Sequence, residues 1–128
     1  MKLKILDSTF SVVKFPPTET LPLWALNAEV FSITRTDEEL SIVCPSKCLE
    51  MNETLKDVEN DLKCIKVEGV LDFSLTGILS SLANPLAKYK ISIFAISTFN
   101  TDYLLIKNHS IEKAKVVLEN EGHLFINL

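Results

Sequence analysis

Thirteen residues of this chain read almost twice. FSITRTDEELSIV (31–43) lies over FAISTFNTDYLLI (94–106) without a gap, at an offset of 63 in a chain of 128 residues. Phe31 falls on Phe94, Ile33 on Ile96, Thr34 on Ser97, Glu39 on Asp102 and Ile42 on Leu105. A repeat at a fixed period decides the architecture before any single element does. This one predicts two small modules of one kind in tandem, residues 1–62 and 63–128. Paired small α/β modules more often bind molecules than transform them.

The second module is the more regular. Cys64 to Leu71 reads as a strand ending near Gly69. Leu75, Ile78, Leu79, Leu82, Ala83, Leu86 and Ala87 form one apolar stripe at helical spacing, which predicts a helix from Leu75 to Lys88. Asp72 or Ser74 can cap its start, and Pro85 removes one backbone donor near its end. Ile91 to Thr98 is apolar on both faces, as an inner strand is. Phe99 to Asp102 supplies a hairpin turn into a strand from Tyr103 to Lys107. Ser110 is a natural N-cap for a second helix reaching Asn120. Ile111, Ala114, Val117 and Leu118 face inward, and Gly122 stops it. Phe125 and Ile126 belong to a last strand. The order βαββαβ is the ferredoxin-like plan, an α+β fold with an antiparallel sheet and both helices on one face. The other face is then bare and needs a cover, or the sheets join edge to edge.

The first module is less regular. Leu3–Leu6 and Phe10–Phe15 are short strand candidates, and three prolines make Pro16–Pro22 a loop. Leu23–Ala28 can form one or two helical turns around Trp24. Strands are expected at Val30–Thr34 and Leu40–Cys44, with Thr36, Asp37 and Glu38 turning between them. Ser46–Leu62 is acidic and weakly helical, and its Glu50–Asp61 stretch reads as a solvated face.

Composition narrows the function. Apolar residues are 47% of the chain, and two modules of this size bury marginal cores alone. They should pack on each other and on a second copy. The net charge of −4 and the lack of a basic cluster argue against a nucleic-acid surface. No apolar run reaches the length of a membrane span, and the start MKLKILDSTF lacks a signal-peptide core. A cytoplasmic protein is expected. The three cysteines are an odd number and suggest reduced thiols. Cys44 and Cys48 with distant His109 and His123 make a poor metal set, so no metal or cofactor is expected. No G-x-S-x-G, H-E-x-x-H, P-loop or dinucleotide fingerprint occurs, and three glycines are too few for a phosphate cradle. An enzyme is therefore not expected.

The segment VEGVLDFSLTGILSSLANPLAKYKISIFAISTFNTDYLLIK (67–107) resembles an ACT domain. It is similar to the small bacterial tandem-ACT proteins and to the ACT modules of the cytosolic arginine sensors of animals. FSITRTDEELSIVCP (31–45) is similar to the first module of the same proteins. The resemblance implies a sensor or regulator that binds an amino acid where modules pair, typically as a dimer. It also implies ligand contacts at the start of the second strand, here Ser92 and Ile93, and along the loop entering the first helix. That loop is Asp72, Phe73, Ser74, Leu75, Thr76 and Gly77. The arginine sensors carry four modules in one chain, so two copies of this chain would be needed to match them.

Physical chemistry gives these positions a task. A free amino acid presents a carboxylate, which suits the orphan N–H groups and partial positive charge of a helix start. Leu75, Thr76 and Gly77 would offer such donors, and Gly77 allows close approach of backbone. The ammonium needs an acceptor, for which Asp72 and Asp102 are the candidates. Each also has a plainer reading: Asp72 and Ser74 as caps, Asp102 as a turn residue bonded to its own backbone, Ser92 as an interface residue. Without a ligand, the exposed sheet would instead serve as a protein-interaction surface.

Overall fold

The computed structural model describes residues 1–49, 55–72 and 76–126. Its elements are β1 (Lys2–Phe15), a 3-10 turn (Leu23–Asn27), β2 (Ser32–Arg35), β3 (Leu40–Pro45), a second 3-10 turn (Ser46–Leu49) and β4 (Asp57–Val67). Then follow α1 (Ile78–Lys88), β5 (Phe94–Ser97), β6 (Asp102–Lys107), a 3-10 turn (Asn108–Ser110), α2 (Ile111–Asn120) and β7 (Leu124–Phe125). The class is mixed α/β with antiparallel hairpins. The chain forms two compact units, one of Ser8–Leu62 and one of Met1–Asp7 with Lys63–Leu128. β1 and β4 each contribute one part to either unit.

The larger unit runs β4-α1-β5-β6-α2-β7, the βαββαβ order. Its strand order is β7-β1-β4-β6-β5. In a plain βαββαβ sheet the first and last strands are neighbours. Here the start of β1 stands between them, paired in parallel with β7 through Lys2↔Leu124 and Leu3↔Phe125. Glu68 N–H donates to Lys2 O at 2.9 Å from one side, and Leu124 N–H donates to Met1 O at 2.8 Å from the other. The first seven residues thus cluster with Lys63–Leu128, where the repeat had put them with the first module.

One core fills this unit. Leu3, Ile65, Val67, Leu104 and Ile106 come from alternate strand positions and so share a face. Leu82 and Leu86 of α1 and Ile111, Ala114, Val117 and Leu118 of α2 close over them. Cys64 and Leu105 occupy the alternate positions of β4 and β6 and are 2% exposed, so the second face is not bare there.

α1 begins three residues later than its apolar stripe suggested. Gly77 has φ +76°, a left-handed conformation that no preceding helical turn can share, and α1 carries no side-chain cap. The N-cap is Gly77 rather than Asp72, and Ser74 lies outside the described residues. The helix ends with Lys90 at φ +59°, where Ile91 N–H bonds back to Leu86 O at 2.9 Å. That is a left-handed helix terminus, made here without the usual glycine. Ser110 makes no cap bond to α2; its hydroxyl pairs with His109 Nδ1 at 3.1 Å. The 3-10 turn that precedes α2 leaves Ser110 with helical dihedrals rather than the extended ones of a capping residue.

The smaller unit has the strand order β2-β3-β1-β4. Its core is Ala25, Leu40, Ile42 and Cys44, with Phe15, Trp24 and Ile33 packed around it. The rings of Phe15 and Trp24 lie 6.4 Å apart at 54°. The two strands expected in residues 3–15 are one, β1. The helix expected over Ser46–Leu62 is replaced by a 3-10 turn at Ser46–Leu49 and by β4 from Asp57. An acidic segment with no apolar stripe has nothing to bury as a helix, and strand pairing satisfies its backbone instead. Residues 50–54 of that expectation lie outside the described residues.

The hairpins themselves correct the alignment. Ser32↔Val43 and Arg35↔Leu40 in the smaller unit correspond to Phe94↔Leu105 and Ser97↔Asp102 in the larger, each 62 residues on rather than 63. At 62 the faces agree: Ile42 and Cys44 fall on Leu104 and Ile106, and all four are buried core. A shift of one residue would send every side chain to the opposite face.

Lys90→Gly removes the left-handed penalty of a side-chain-bearing residue, about 1 kcal/mol. The variant is expected to unfold at higher urea concentration than the parent, with an unchanged denaturant slope.

Candidate functional site

A cavity of about 280 Å³ opens in the larger unit where the chain enters α1. One side is Leu71 and Asp72, just after β4. Another is Gly77, Ile78 and Leu79 at the start of α1. The third is the end of the β5–β6 hairpin, Ser97 to Asp102. All three belong to one end of a βαββαβ unit, because the first crossover and the middle hairpin both turn there.

The hairpin is held rigidly. Thr98 N–H donates to Thr101 O at 2.9 Å and Thr98 Oγ1 donates to the same carbonyl at 3.0 Å. Thr101 is 4% exposed, and its hydroxyl donates to Val67 O on β4 at 2.7 Å. Leu71 N–H donates to Asn100 O at 2.8 Å, which ties the loop after β4 to the hairpin tip. Ser97 Oγ donates to Asp102 Oδ1 at 2.6 Å, the length of a charge-assisted bond.

The chemistry of the lining is two-sided. The first helical bond of α1 is Ser81 N–H to Gly77 O at 2.9 Å, so the N–H groups of Ile78, Leu79 and Ser80 precede the ladder as helix-start donors. With the helix dipole they favour a negative group. Asp72 and Asp102 bring acceptors that favour a positive one. Leu71, Ile78, Leu79 and Phe99 make the apolar remainder. A donor-rich end, carboxylate acceptors and an apolar wall suit a small zwitterion.

Of the residues singled out in the sequence, Asp72, Gly77 and Asp102 line this cavity. Phe73, Ser74 and Leu75 lie outside the described residues. Ser92 and Ile93 line neither this cavity nor its neighbour. Ser92 is exposed between α1 and β5, and Ile93 packs half-buried against the core. Ser97, Thr98, Phe99, Asn100 and Thr101 were not among the candidates. Their signal was the run of small polar residues in STFNTD, next to the one acid that was chosen. A second, more open cavity runs along α1 past Ser81, Asn84, Lys88 and His123.

Among the described residues no three His, Cys, Asp or Glu side chains cluster as metal ligands. Burial pushes the Cys64 thiol up to about 12, with nearby Lys63 opposing the shift. Burial, then the neighbouring Cys48, pushes Cys44 up to about 12. Both thiols are held in the neutral form at physiological pH, which makes them poor nucleophiles. No described helix is long and apolar enough to cross a membrane.

With this geometry in place, relatives can be weighed. A family model described as the ACT domain matches residues 57–120. A separate model, for an N-terminal domain, matches residues 8–50. No curated protein matches. The crystal structure of protein Atu0741 from Agobacterium tumefaciens shares 38% identity with this chain, covers 98% of it and 91% of its own length, and has a TM-score of 0.90. A Vibrio cholerae protein of unknown function, VC0802, described as a possible transport protein, is 15% identical over 94% of this chain and 88% of its own, with a TM-score of 0.74. The ligand-free regulatory subunit of aspartate kinase from Thermus thermophilus is 10% identical over 91% and 96%, with a TM-score of 0.63. At those two identities the likeness is one of fold. The class is the βαββαβ, ferredoxin-like fold. The chain belongs to the ACT-domain family.

Thr101→Val leaves Val67 O buried without its donor, a loss of about 1–3 kcal/mol. It should lower the melting temperature and loosen the hairpin, read as faster amide exchange at Leu71. For Cys64 the folded-state pKa lies above the unfolded value. Its contribution to stability is therefore complete below about pH 9 and is lost as pH rises toward about 12. Urea unfolding of the parent between pH 8 and 11 should lose stability more steeply than that of Cys64→Ala.

Proposed function

We propose that this chain is a non-catalytic regulatory protein that binds a free amino acid in the cavity at the start of α1. The observation that carries the reading is the convergence of helix-start N–H donors with Asp72 and Asp102 around about 280 Å³, a volume on the scale of one amino acid. In this reading the α1 amides take the carboxylate and the two acids take the ammonium. The two units are tandem copies of one module, the smaller with 3-10 turns where the larger has helices. The match of hairpin register at 62 residues supports that descent. Two copies of the chain associate, which supplies further contacts to ligands seated at module edges. The three free thiols fit a reducing, cytoplasmic setting. Ligand acts by preferring one assembly over another, since only differential affinity shifts such an equilibrium.

A second reading is favoured by the exposed apolar side chains. Phe99 is 85% exposed, Leu23 77% and Val70 75%. A module that holds a partner protein and no small ligand would present such residues.

A melting screen of the twenty amino acids at millimolar concentration separates the two. A ligand at 100 times its dissociation constant stabilises by about 2.7 kcal/mol, a shift of several degrees. One or a few amino acids should shift the parent, and Asp102→Asn should reduce that shift while keeping the ligand-free melting temperature near the parent's. A screen in which no amino acid moves the transition removes the ligand reading.

A further inference from the structure

Among the described residues, the cavity at the start of α1 is lined by Asp72 and Asp102 and by no lysine, arginine or histidine. A ligand with an acidic side chain would bring further negative charge to two carboxylates, with no cation there to meet it.

The hydroxyls of the lining are spent inside the fold. Ser97 Oγ donates to Asp102 Oδ1 at 2.6 Å, Thr98 Oγ1 to Thr101 O at 3.0 Å and Thr101 Oγ1 to Val67 O at 2.7 Å. A hydroxyl has one hydrogen to give, so none of the three has a donor left for a ligand. Thr98 Oγ1 also accepts from Thr101 N–H at 3.3 Å. An α-ammonium has three donors and can engage both carboxylates by itself.

What remains to meet a ligand's side chain is apolar. Leu71 and Leu79 are half-buried, packed on the core of the larger unit while they line the cavity. Ile78 is half-buried beside them, and Phe99 is 85% exposed. An aromatic ring that exposed on a cavity wall gains from any apolar group that takes its surface out of water. A charged side chain in the same place would lose hydration and find no partner.

We infer that the ligand of this cavity is an amino acid with an uncharged, apolar side chain about the size of leucine or methionine. Leu71, Ile78, Leu79 and Phe99 select it, with Phe99 as the exposed part of the wall. The inference rests on the proposed function and names the class of ligand within it.

The test is isothermal titration calorimetry on the full chain with L-leucine, L-methionine, L-alanine, L-glutamine, L-glutamate and L-lysine. L-Leucine or L-methionine should bind tightest, at least about tenfold tighter than L-alanine, because each methylene lost from an apolar pocket costs about tenfold or more. L-Glutamine is the control for the Asn100 amide, which also belongs to the lining. Phe99→Ala should cut the leucine-to-alanine affinity ratio by about threefold or more, since it removes part of the wall that only the longer side chain reaches. If Phe99→Ala does not fold, Phe99→Thr is measured in the same way. Tightest binding of glutamine, glutamate or lysine, or no preference for leucine or methionine over alanine, overturns the inference and leaves the amino-acid reading in place. An affinity ratio that the Phe99 variant leaves unchanged also overturns it. Binding of none of the six, together with a melting screen that no amino acid moves, removes the ligand reading and the inference with it.

Discussion

The backbone on either side of Lys2 is the constraint on which the larger unit depends. Glu68 N–H reaches Lys2 O from the β4 side, while Leu124 N–H reaches Met1 O and Ile126 N–H reaches Leu3 O from the β7 side. Without that inserted segment, β7 would have to close directly on β4 and Leu3 would leave the core, where it is fully buried. β7 has two residues, too few to hold a sheet edge by themselves. The cover of α2 over β1 and β4 therefore follows from a segment more than one hundred residues earlier in the chain. Such pairing is slow to find and strongly specifying once found, because it must wait for most of the chain.

The cavity inherits its shape from that frame. β4 ends where Thr101 can bond to Val67 O, and the same bond stops the hairpin from swinging away from the entry to α1. Gly77 then turns the chain with a left-handed φ and begins α1 without a side-chain capping bond. A Cβ at Gly77 would meet only Ser80 Oγ at 3.7 Å, so the requirement for glycine is one of backbone conformation and not of room. A serine or aspartate cap would have stabilised the helix by about 1 kcal/mol while occupying the donors. An uncapped start beside two carboxylates is a local weakness of the kind that sites retain.

How much of this the sequence disclosed depended on whether the deciding force was local. α1 and α2 were legible because Leu82, Leu86, Ala114, Val117 and Leu118 repeat at helical spacing and are the side chains that are buried. The start of α1 was not, because Leu75 continues the stripe while the dihedral of Gly77 breaks it. The strand at Asp57–Leu62 was invisible for a related reason: its pattern is acidic, and only long-range pairing makes it a strand. The sequence match at 63 and the hairpin registers at 62 differ by one residue, since matching by residue kind rewards Phe31 over Phe94 and takes no account of which face each side chain uses. Asp72, Gly77 and Asp102 could be chosen because loop entries and hairpin ends favour such residues. Ser97 through Thr101 required knowing that the hairpin tip folds against Leu71.

Pro85 shows how the fold absorbs a local defect. Proline inside α1 has no N–H, so Ser81 O loses its helical donor. His123 stands beside that carbonyl and donates from Nε2 at 3.3 Å, which fixes the proton on that nitrogen. Its position follows from Gly122, whose φ of +93° ends α2 and turns the chain back toward α1. His123 N–H in turn closes onto Leu118 O at 3.1 Å, so the ring is carried by the helix terminus itself. One residue thus completes the broken hydrogen-bond ladder of α1 and the last turn of α2. The two helices are joined by a polar contact at their outer ends as well as by Leu82, Leu86 and Leu118 beneath. That contact lies outside the cavity at the start of α1, so α1 is held against α2 by residues that do not line it.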